Sequence, residues 1–424
     1  MAQILLSAYA CEPDRGSEPA VGWSWAVELA RSGHQVWVLT RAGNRAAIER
    51  RPSPDLNFIY YDLPRWMQTW RAGFTGKRLY YVLWQWFAAR HIRKLFPEMP
   101  FDVVQHVTYV SVRYPSFMGS LGIPFYFGPV SGGEKVPARL RKSLPLGERL
   151  REWLRDRSNR LIARDPLLRR TFRQSDKIIV TRDTVPIIPQ RWRHKCEVQL
   201  AIGLTSEYLN QAAAPYRSSR CFRLLYVGRL LDWKGVDIAL RAVHQLKQWG
   251  LNVQFTMVGD GPARARLTNL AERLGLAEIV NWSGCIPQYA VEVQYHSADV
   301  FLFPSLRDSG GLAVLEAMAH GLPVVCTDLG GPGVMVNDRC GRVAPGLHGS
   351  SEELVSVCAG AVREIMTTPG LRERLARGAR TRARDFNFQH LVRSIYPIHP
   401  RRAIVEHNEY DLQSSTLVSH DAAR

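Results

Sequence analysis

Short apolar runs and amphipathic stretches alternate along most of the chain. In the first half, apolar runs of strand length occupy residues 4–8, 34–40, 57–62, 102–107, 124–128 and 177–181. In the second half they recur at residues 223–229, 253–260, 279–284, 299–305 and 322–328. Stretches with helical spacing of apolar residues separate these runs. Strand–helix alternation of this kind predicts an α/β fold with parallel sheets that helices cover on both faces.

A polar segment rich in Ala and Ser, residues 206–220, interrupts the series and is predicted to be a linker. It leaves an N-terminal domain over residues 1–205 and a C-terminal domain over residues 221–385, each long enough to bury its own core. Residues 386–400 are predicted to form a C-terminal helix that crosses back to the N-terminal domain, and residues 401–424 a flexible tail. Two such domains would face each other across a cleft, where open α/β sheets bind ligands.

The composition is that of a soluble globular enzyme, with 46% hydrophobic and 22% charged residues. The net charge of +18 predicts an anionic partner, such as nucleic acid, a membrane surface or a phosphorylated substrate. The seven cysteines lack zinc-ligand spacing and are expected to be reduced thiols of a cytosolic protein. The first residues do not resemble a signal peptide, and the longest apolar run, residues 79–89, is too short to cross a bilayer. We therefore expect a cytoplasmic protein.

Positive charge is concentrated in the N-terminal half. Residues 139–173 contain twelve arginines and lysines against four acids, a local net charge of +8, and residues 65–94 interleave aromatic residues with cations. Leu, Trp and Phe at helical spacing beside Arg favour an interfacial surface that docks on an anionic membrane, peripheral to its inner face. The alternative is a solvated Arg-rich helix whose aromatic residues belong to the core.

Two cations follow the first strand-like run of the C-terminal domain. Arg229 and Lys234 are placed at the carboxyl end of that predicted strand, where a ligand in the cleft would lie. Arg offers a bidentate fork to phosphate oxygens, and Lys offers a point charge. The alternative is a pair of solvated surface cations.

The segment LRDSGGLAVLEAMAHG predicts a loop followed by a helix. The first-turn amides of Gly311, Leu312 and Ala313 would lack acceptors within the helix and would form an anion site. Glu316 lies four residues beyond Leu312, on the same helix face and about one turn deeper. A nucleoside diphosphate would then place its ribose near Glu316, with Asp308 on the other side of the diphosphate.

These motifs occur in a fixed order that resembles a known family. The matching segments are Gly228-Arg229, Lys234-Gly235, residues 258–262, residues 298–305 and residues 316–325. Together they resemble the retaining glycosyltransferases of the GT-B fold, family four, once called group 1. The resemblance implies two Rossmann-like parallel-sheet domains that face a central cleft.

The resemblance also implies roles for individual residues. Arg229 and Lys234 would bind the donor diphosphate, Glu316 would bind the ribose, and Asp308 would be a catalytic-site acid that holds hydroxyls of the donor sugar. A nucleobase loop is implied at Gly284, Cys285, Ile286 and Gln288. This chain departs from the family's usual Glu at position 308 and from a common aromatic residue at position 310, so the identity of the sugar stays open.

The N-terminal half offers weaker candidates. Its first loop has no GxGxxG, which counts against an NAD enzyme, and the resemblance places Gly16 in a loop over the donor phosphates. His106 falls near the family's cleft histidine, which contacts the donor sugar, although a lone histidine is more often structural. The segment SGGEK at residues 131–135 could line the acceptor side or form a plain turn.

The resulting functional prediction is a metal-independent hexosyltransferase that retains anomeric configuration. It would move a sugar from a UDP- or GDP-sugar, its co-substrate, to a hydroxyl of a glycan or polyprenyl-linked acceptor in bacterial exopolysaccharide or lipopolysaccharide synthesis. No further cofactor, no metal and no nucleic-acid partner are expected. A GT-B sugar-nucleotide epimerase, a basic nucleic-acid-binding protein and an inactive scaffold are the alternatives.

Overall fold

The structure is a computed structural model that describes residues 1–13, 18–51, 53, 55–69, 74–109, 111–210 and 221–396. Most of the predicted linker, residues 211–220, and the whole predicted tail, residues 401–424, lie outside the described residues.

The N-terminal domain is built on a seven-stranded parallel sheet with the order β3-β2-β1-β4-β5-β6-β7. Its strands are β1 Gln3–Ala8, β2 Gln35–Thr40, β3 Leu56–Tyr60, β4 Val103–Thr108, β5 Phe125–Val130, β6 Lys177–Val180 and β7 Cys196–Val198.

The C-terminal domain is built on a six-stranded parallel sheet with the order β10-β9-β8-β11-β12-β13. Its strands are β8 Phe222–Val227, β9 Val253–Val258, β10 Val280–Gly284, β11 Val300–Phe303, β12 Val324–Thr327 and β13 Gly341–Ala344.

Helices cover both sheets. In chain order they are α1 Glu18–Arg31, α2 Arg45–Glu49, α3 Arg65–Gln68, α4 Phe74–Leu95, α5 Leu146–Leu161, α6 Pro166–Gln174, α7 Ser206–Asn210, α8 Val236–Gln248, α9 Arg264–Arg273, α10 Gln288–Ser297, α11 Leu312–Ala319, α12 Pro332–Met335, α13 Ser351–Thr367, α14 Leu371–Arg384 and α15 Phe388–Ile395. Every residue of β4, β11 and β12 is buried, because helices lie on both faces of these central strands. The predicted α/β fold with two parallel-sheet domains is confirmed.

The last described helix packs on the N-terminal domain. The Phe388 ring of α15 lies 5.2 Å from the ring of Trp25 in α1, and the Tyr396 hydroxyl donates a 2.6 Å hydrogen bond to Gln105 Oε1 in β4. The two chain crossovers run side by side, since Leu204 exchanges backbone hydrogen bonds with Phe386 and Phe388. The chain therefore passes between the domains twice at the same place.

The two domains also meet through the segment after β5. Val136, Leu140 and Leu144 are buried in the same apolar cluster as the C-terminal core. Arg139 donates a 2.9 Å hydrogen bond to the carbonyl of His348 across the interface. These contacts hold the two sheets facing each other, with a cleft between them.

Candidate functional site

A cleft of about 480 Å³ lies between the domains. The start of α1 contributes Val21 and Ser24, the chain crossovers contribute Ile202 and Phe388, and the end of β11 contributes Phe303. The remaining lining residues of the C-terminal wall lie at the end of β8, in the loop after it, and in the loop before α11 and the first turn of that helix, namely Val227, Gly228, Arg229, Lys234, Asp308, Ser309, Gly310, Gly311, Leu312 and Ala313. The structure therefore brings the predicted diphosphate ligands of the C-terminal domain together in one cleft.

The two predicted phosphate-binding cations reach the cleft from the loop after β8. Arg229 is exposed, whereas Lys234 is partly buried and its Nζ lies 5.2 Å from the centre of the Phe303 ring. Gly235 follows with φ 68°, and a side chain there would collide with the Pro304 carbonyl. Glycine is required at this turn, which holds Lys234 against the end of β11.

Asp308 is already bonded on both carboxylate oxygens. Its Oδ2 lies 2.5 Å from Lys234 Nζ, and its Oδ1 accepts hydrogen bonds from the amides of Gly310 at 3.2 Å and Gly311 at 3.1 Å. The amide of Gly311 is thus not the unsatisfied donor that the sequence predicts, because the short Asp308 side chain folds back over the helix start. A ligand anion would compete with Asp308 for Lys234.

The first turn of α11 still provides donors. Gly311 adopts a left-handed φ of 73° as the N-cap, and the amides of Leu312 and Ala313 fall in the first turn, where an α-helix has no acceptor for them. Both residues line the cleft. With Arg229 and Lys234, these amides form a seat for an anion at the positive end of the helix dipole.

The space beside Gly310, where a larger residue would place its side chain, is occupied by another residue. A Cβ at Gly310 would lie 3.1 Å from Ile202 Cδ1, which comes from the first chain crossover. Ile202 therefore occupies the space beside residue 310, and a bulky side chain there would require it to move.

Glu316 lies one turn further along α11 in an apolar setting. Its Oε2 accepts a 2.9 Å hydrogen bond from the Tyr295 hydroxyl, and the Gln288 side chain also hydrogen-bonds to it. Burial raises the pKa of Glu316 to about 7, although both hydrogen bonds favour the ionised form. A carboxylate in this position changes charge near neutral pH, and it accepts hydrogen bonds best when it is ionised.

The predicted nucleobase loop follows β10 at the same edge of the sheet. The carbonyl of Gly284 accepts a 2.7 Å hydrogen bond from the amide of Gly259, which ties the loop to the end of β9. Cys285 is exposed, Ile286 packs against the C-terminal core, and Gln288 begins α10. The loop is thus joined to Glu316 through Gln288.

His106 is not on the cleft wall. It is 1% exposed in the middle of β4, its Nε2 lies 3.1 Å from the Tyr81 hydroxyl, and its ring lies 5.4 Å from that of Phe127. Burial lowers the pKa of His106 to about 3, so the ring is neutral. Helices bury both faces of this central strand, which places His106 in the core instead of the expected cleft position. Gly16 lies outside the described residues.

A second, polar pocket of about 300 Å³ adjoins the cleft on its N-terminal side. It shares Lys234, Asp308 and Ser309 with the cleft, and its other lining residues are Ser111, Arg113, Ser131, Gly132, Glu134, Arg155, Trp233 and Arg307. The sequence pointed to residues 131–135 as a possible acceptor side, but not to the three arginines. Only Arg307 has a local signal, its position next to Asp308.

Over the described ranges, no group of three or more His, Cys, Asp or Glu side chains is placed to hold a metal ion. In the same part of the chain, no helix combines the length and the apolar character that crossing a bilayer requires.

Known proteins with similar sequences and structures are glycosyltransferases. Residues 217–382 match the family described as glycosyl transferases group 1. The putative colanic acid biosynthesis glycosyltransferase WcaL of Escherichia coli K12 is 36% identical over 129 residues, or 29% of this chain and 32% of that relative. The chain matches less than half the length of the first curated relatives.

Two solved structures resemble nearly the whole chain. WaaG, a glycosyltransferase involved in lipopolysaccharide biosynthesis, superposes with a TM-score of 0.60 and 19% identity over 93% of this chain and 99% of WaaG. Anabaena HepE in complex with UDP gives a TM-score of 0.59 and 15% identity over 94% and 100% of the two chains. The protein thus has the GT-B fold, as predicted. Its C-terminal domain is similar to the glycosyl transferases group 1 family over residues 217–382, which is less than half of the chain.

Proposed function

We propose that the protein is a retaining glycosyltransferase that moves a hexose from a nucleotide diphosphate sugar to an acceptor hydroxyl. The observation that carries this proposal is the anion seat, where Arg229, Lys234 and the first-turn amides of α11 converge in one interdomain cleft. A nucleoside diphosphate supplies the anion that this seat fits, and Glu316 one turn away supplies an acceptor for ribose hydroxyls.

The same groups would act on the transition state. Negative charge develops on the leaving diphosphate as the sugar departs, and fixed cations and amides at that position stabilise the charge without reorganising. The leaving phosphate would take the proton of the acceptor hydroxyl on the same face of the sugar. Cationic side chains thereby perform the role that a metal would otherwise have, so activity should persist in EDTA.

The relatives support a role in bacterial surface polysaccharide synthesis. WcaL is named for colanic acid biosynthesis and WaaG for lipopolysaccharide biosynthesis, while HepE binds UDP. We therefore propose a UDP- or GDP-sugar as donor and a glycan or a polyprenyl-linked glycan as acceptor.

Turnover and binding test this function separately. A thermal-shift panel of nucleotides and nucleotide sugars should select one nucleobase. With that donor, free nucleoside diphosphate should accumulate only when an acceptor extract from polysaccharide-producing cells is added. A protein that binds no nucleotide, or that converts one nucleotide sugar into its epimer without acceptor, would contradict the proposal.

We also propose that α5 binds to an anionic membrane surface and that the protein binds its acceptor there. The usual distribution of polar and apolar residues is reversed in this helix, because its buried residues are Glu148 and Glu152. Its apolar residues point outward, with Leu150 57% and Trp153 54% exposed. Leu146, Leu154 and Leu161 are also exposed, and so are the arginines at positions 149, 151, 157, 160 and 164. Exposed Leu and Trp flanked by arginines favour insertion at a lipid headgroup boundary over a solvated helix.

A further inference from the structure

The polar pocket on the N-terminal side of the cleft is a candidate site of its own. It opens beside the Lys234–Asp308 pair, so it adjoins the place where the proposed donor would carry its sugar. Arg113, Arg155 and Arg307 all line it. Three guanidinium groups in about 300 Å³ are costly unless anions balance them.

The guanidinium of Arg113 is held rigidly by neutral groups. Its Nη2 donates to the Gly132 carbonyl at 2.7 Å and to Asn159 Oδ1 at 2.6 Å, and its Nε donates to Ser158 Oγ at 3.2 Å. Within the part of the chain that the structure describes, no carboxylate forms an ion pair with it. Arg113 is therefore oriented in advance, and the carboxylate that acts on its charge, Glu134, does so from a distance without an ion pair.

The other cations of the pocket each have a carboxylate partner. Lys234 pairs with Asp308 at 2.5 Å, Arg155 lies 3.9 Å from Glu134, and Arg307 pairs with Glu152. Arg113 is the cation that lacks such a partner among these four. Burial, and then repulsion by Arg155, lowers the pKa of Arg113 to about 10, so it stays charged at neutral pH.

We propose that this pocket binds a carboxylate or phosphate group, which Arg113 contacts together with Arg155 or Arg307. Guanidinium groups suit both anions. The N–H groups on Nη1 of Arg113, which make no hydrogen bond within the described residues, are held in place by the bonds of Nε and Nη2 and lose little entropy on binding. The group belongs either to the transferred sugar, as in a uronic acid donor, or to the acceptor. This choice of source rests on the proposed function, whereas the anion site itself does not.

The test fills the diphosphate seat first. Protein saturated with UDP or GDP, whichever binds, is titrated with inorganic phosphate, glucuronate and glucose at constant ionic strength, and the thermal midpoint is followed. We expect a saturable response to at least one of the two anions and none to glucose. Arg113→Gln should raise the half-saturating concentration by about tenfold or more, because a charge-assisted hydrogen bond is lost.

Two variants keep the result interpretable. Arg113→Lys keeps the charge without the oriented guanidinium group and should lose part of the response even if Arg113→Gln does not fold. Arg273→Gln makes the same change of charge at an exposed position in the last turn of α9 and should respond as wild type. No anion response in the nucleotide-saturated wild type would overturn the proposal. So would a loss of nucleotide affinity in Arg113→Gln as large as in Lys234→Ala, since Arg113 would then belong to the diphosphate seat.

Comparing the affinities of two nucleotide sugars shows whether the anionic group belongs to the transferred sugar or to the acceptor. If UDP-glucuronate or its GDP counterpart binds about tenfold more tightly than the corresponding glucose donor, and Arg113→Gln removes the difference, the anion is on the transferred sugar. Equal donor affinities with a persistent phosphate response assign it to the acceptor. If no nucleotide binds at all, the proposed function fails, and the Arg113-dependent phosphate response of the free protein still tests the pocket.

Discussion

The two walls of the cleft are built in different ways. The C-terminal wall places its anion ligands within short segments, the loop Gly228–Lys234 and the start of α11, at the ends of adjacent parallel strands. The N-terminal wall gathers Arg113, Glu134 and Arg155 from three distant segments, and hydrogen bonds to Gly132 connect them. The first wall therefore has a local sequence signature, and the second exists only in the fold.

The two kinds of construction suit different ligand groups. Backbone amides and point charges at strand ends suit a group common to many substrates, such as a diphosphate. Oriented guanidinium groups backed by side chains suit a group particular to one substrate. The C-terminal wall therefore suits a diphosphate, whereas the N-terminal wall suits a group that differs between substrates.

The largest expected effect is on the C-terminal wall. Lys234→Ala should weaken nucleotide binding by about a hundredfold, since removing a charged group that pairs with the ligand in a largely desolvated site typically costs about 2–5 kcal/mol. The loss also leaves the Asp308 carboxylate unpaired at the anion seat, where it repels a phosphate. Isothermal titration with the nucleotide that the panel selects measures the change.

A second substitution separates the two causes. Asp308→Asn in the Lys234→Ala background removes the repelling charge and should restore part of the lost affinity. Lys247→Ala, at an exposed position of α8, is the matched control and should bind as wild type. Wild-type affinity in Lys234→Ala, with an intact fold, would show that the diphosphate lies elsewhere.

The sequence predicted most of the C-terminal wall because its chemistry follows strand ends in a regular order. It did not predict that Asp308 would bond to both Lys234 and the Gly311 amide, since that depends on a side-chain rotamer. The edge strands β7 and β13 were also missed. They contain only three and four residues, and neither has a long apolar run.

The N-terminal wall shows why the rest could not be predicted. The Arg-rich sequence of α5 predicts a solvated or interfacial helix. Its neighbouring residues do not indicate that Arg155 turns inward while Trp153 turns outward. His106 lies in a predicted strand, near the position where the family that the chain resembles has a cleft histidine. The register of that strand in the sheet, which the sequence does not show, decides that His106 stays in the core. Such outcomes depend on contacts between distant segments.

The next effect concerns pH and tests Glu316. Because the pKa of Glu316 is about 7 in the free protein, its ionised fraction falls about tenfold between pH 8 and pH 6. If the ribose hydroxyls bind the carboxylate, nucleotide affinity should fall by about the same factor as the pH is lowered. Titration at several pH values in buffers of equal ionic strength measures it.

The control for the pH effect is Glu316→Gln, which is similar in shape and cannot ionise. This variant should bind nucleotide weakly and without the pH dependence. A wild-type affinity that is flat from pH 6 to pH 8, or a slope that persists in Glu316→Gln, would contradict the assignment to ribose.

A smaller effect is expected on the outer surface of the N-terminal domain. Leu150→Ser and Trp153→Ser should each lower binding to acidic-lipid vesicles by about fivefold, because each removes apolar area that would enter the headgroup region. Both side chains are more than half exposed, so the free energy of unfolding should change little. Co-sedimentation at two salt concentrations measures binding, and Leu347→Ser, a 55% exposed position on the other domain, is the control. Binding that is absent or insensitive to salt in the wild type would contradict docking on an anionic surface.

The smallest functional effect is expected at His106. Because this neutral ring is buried between Tyr81 and Phe127, His106→Ala should lower the free energy of unfolding by about 1–3 kcal/mol, the usual range for a core substitution. Nucleotide affinity and turnover should stay within a fewfold of wild type, since the ring does not reach the cleft. Urea denaturation and steady-state assays on the same preparation separate the two quantities. A large loss of turnover with unchanged stability would instead place His106 in contact with the donor, and the N-terminal wall would then share the family's recognition of the sugar.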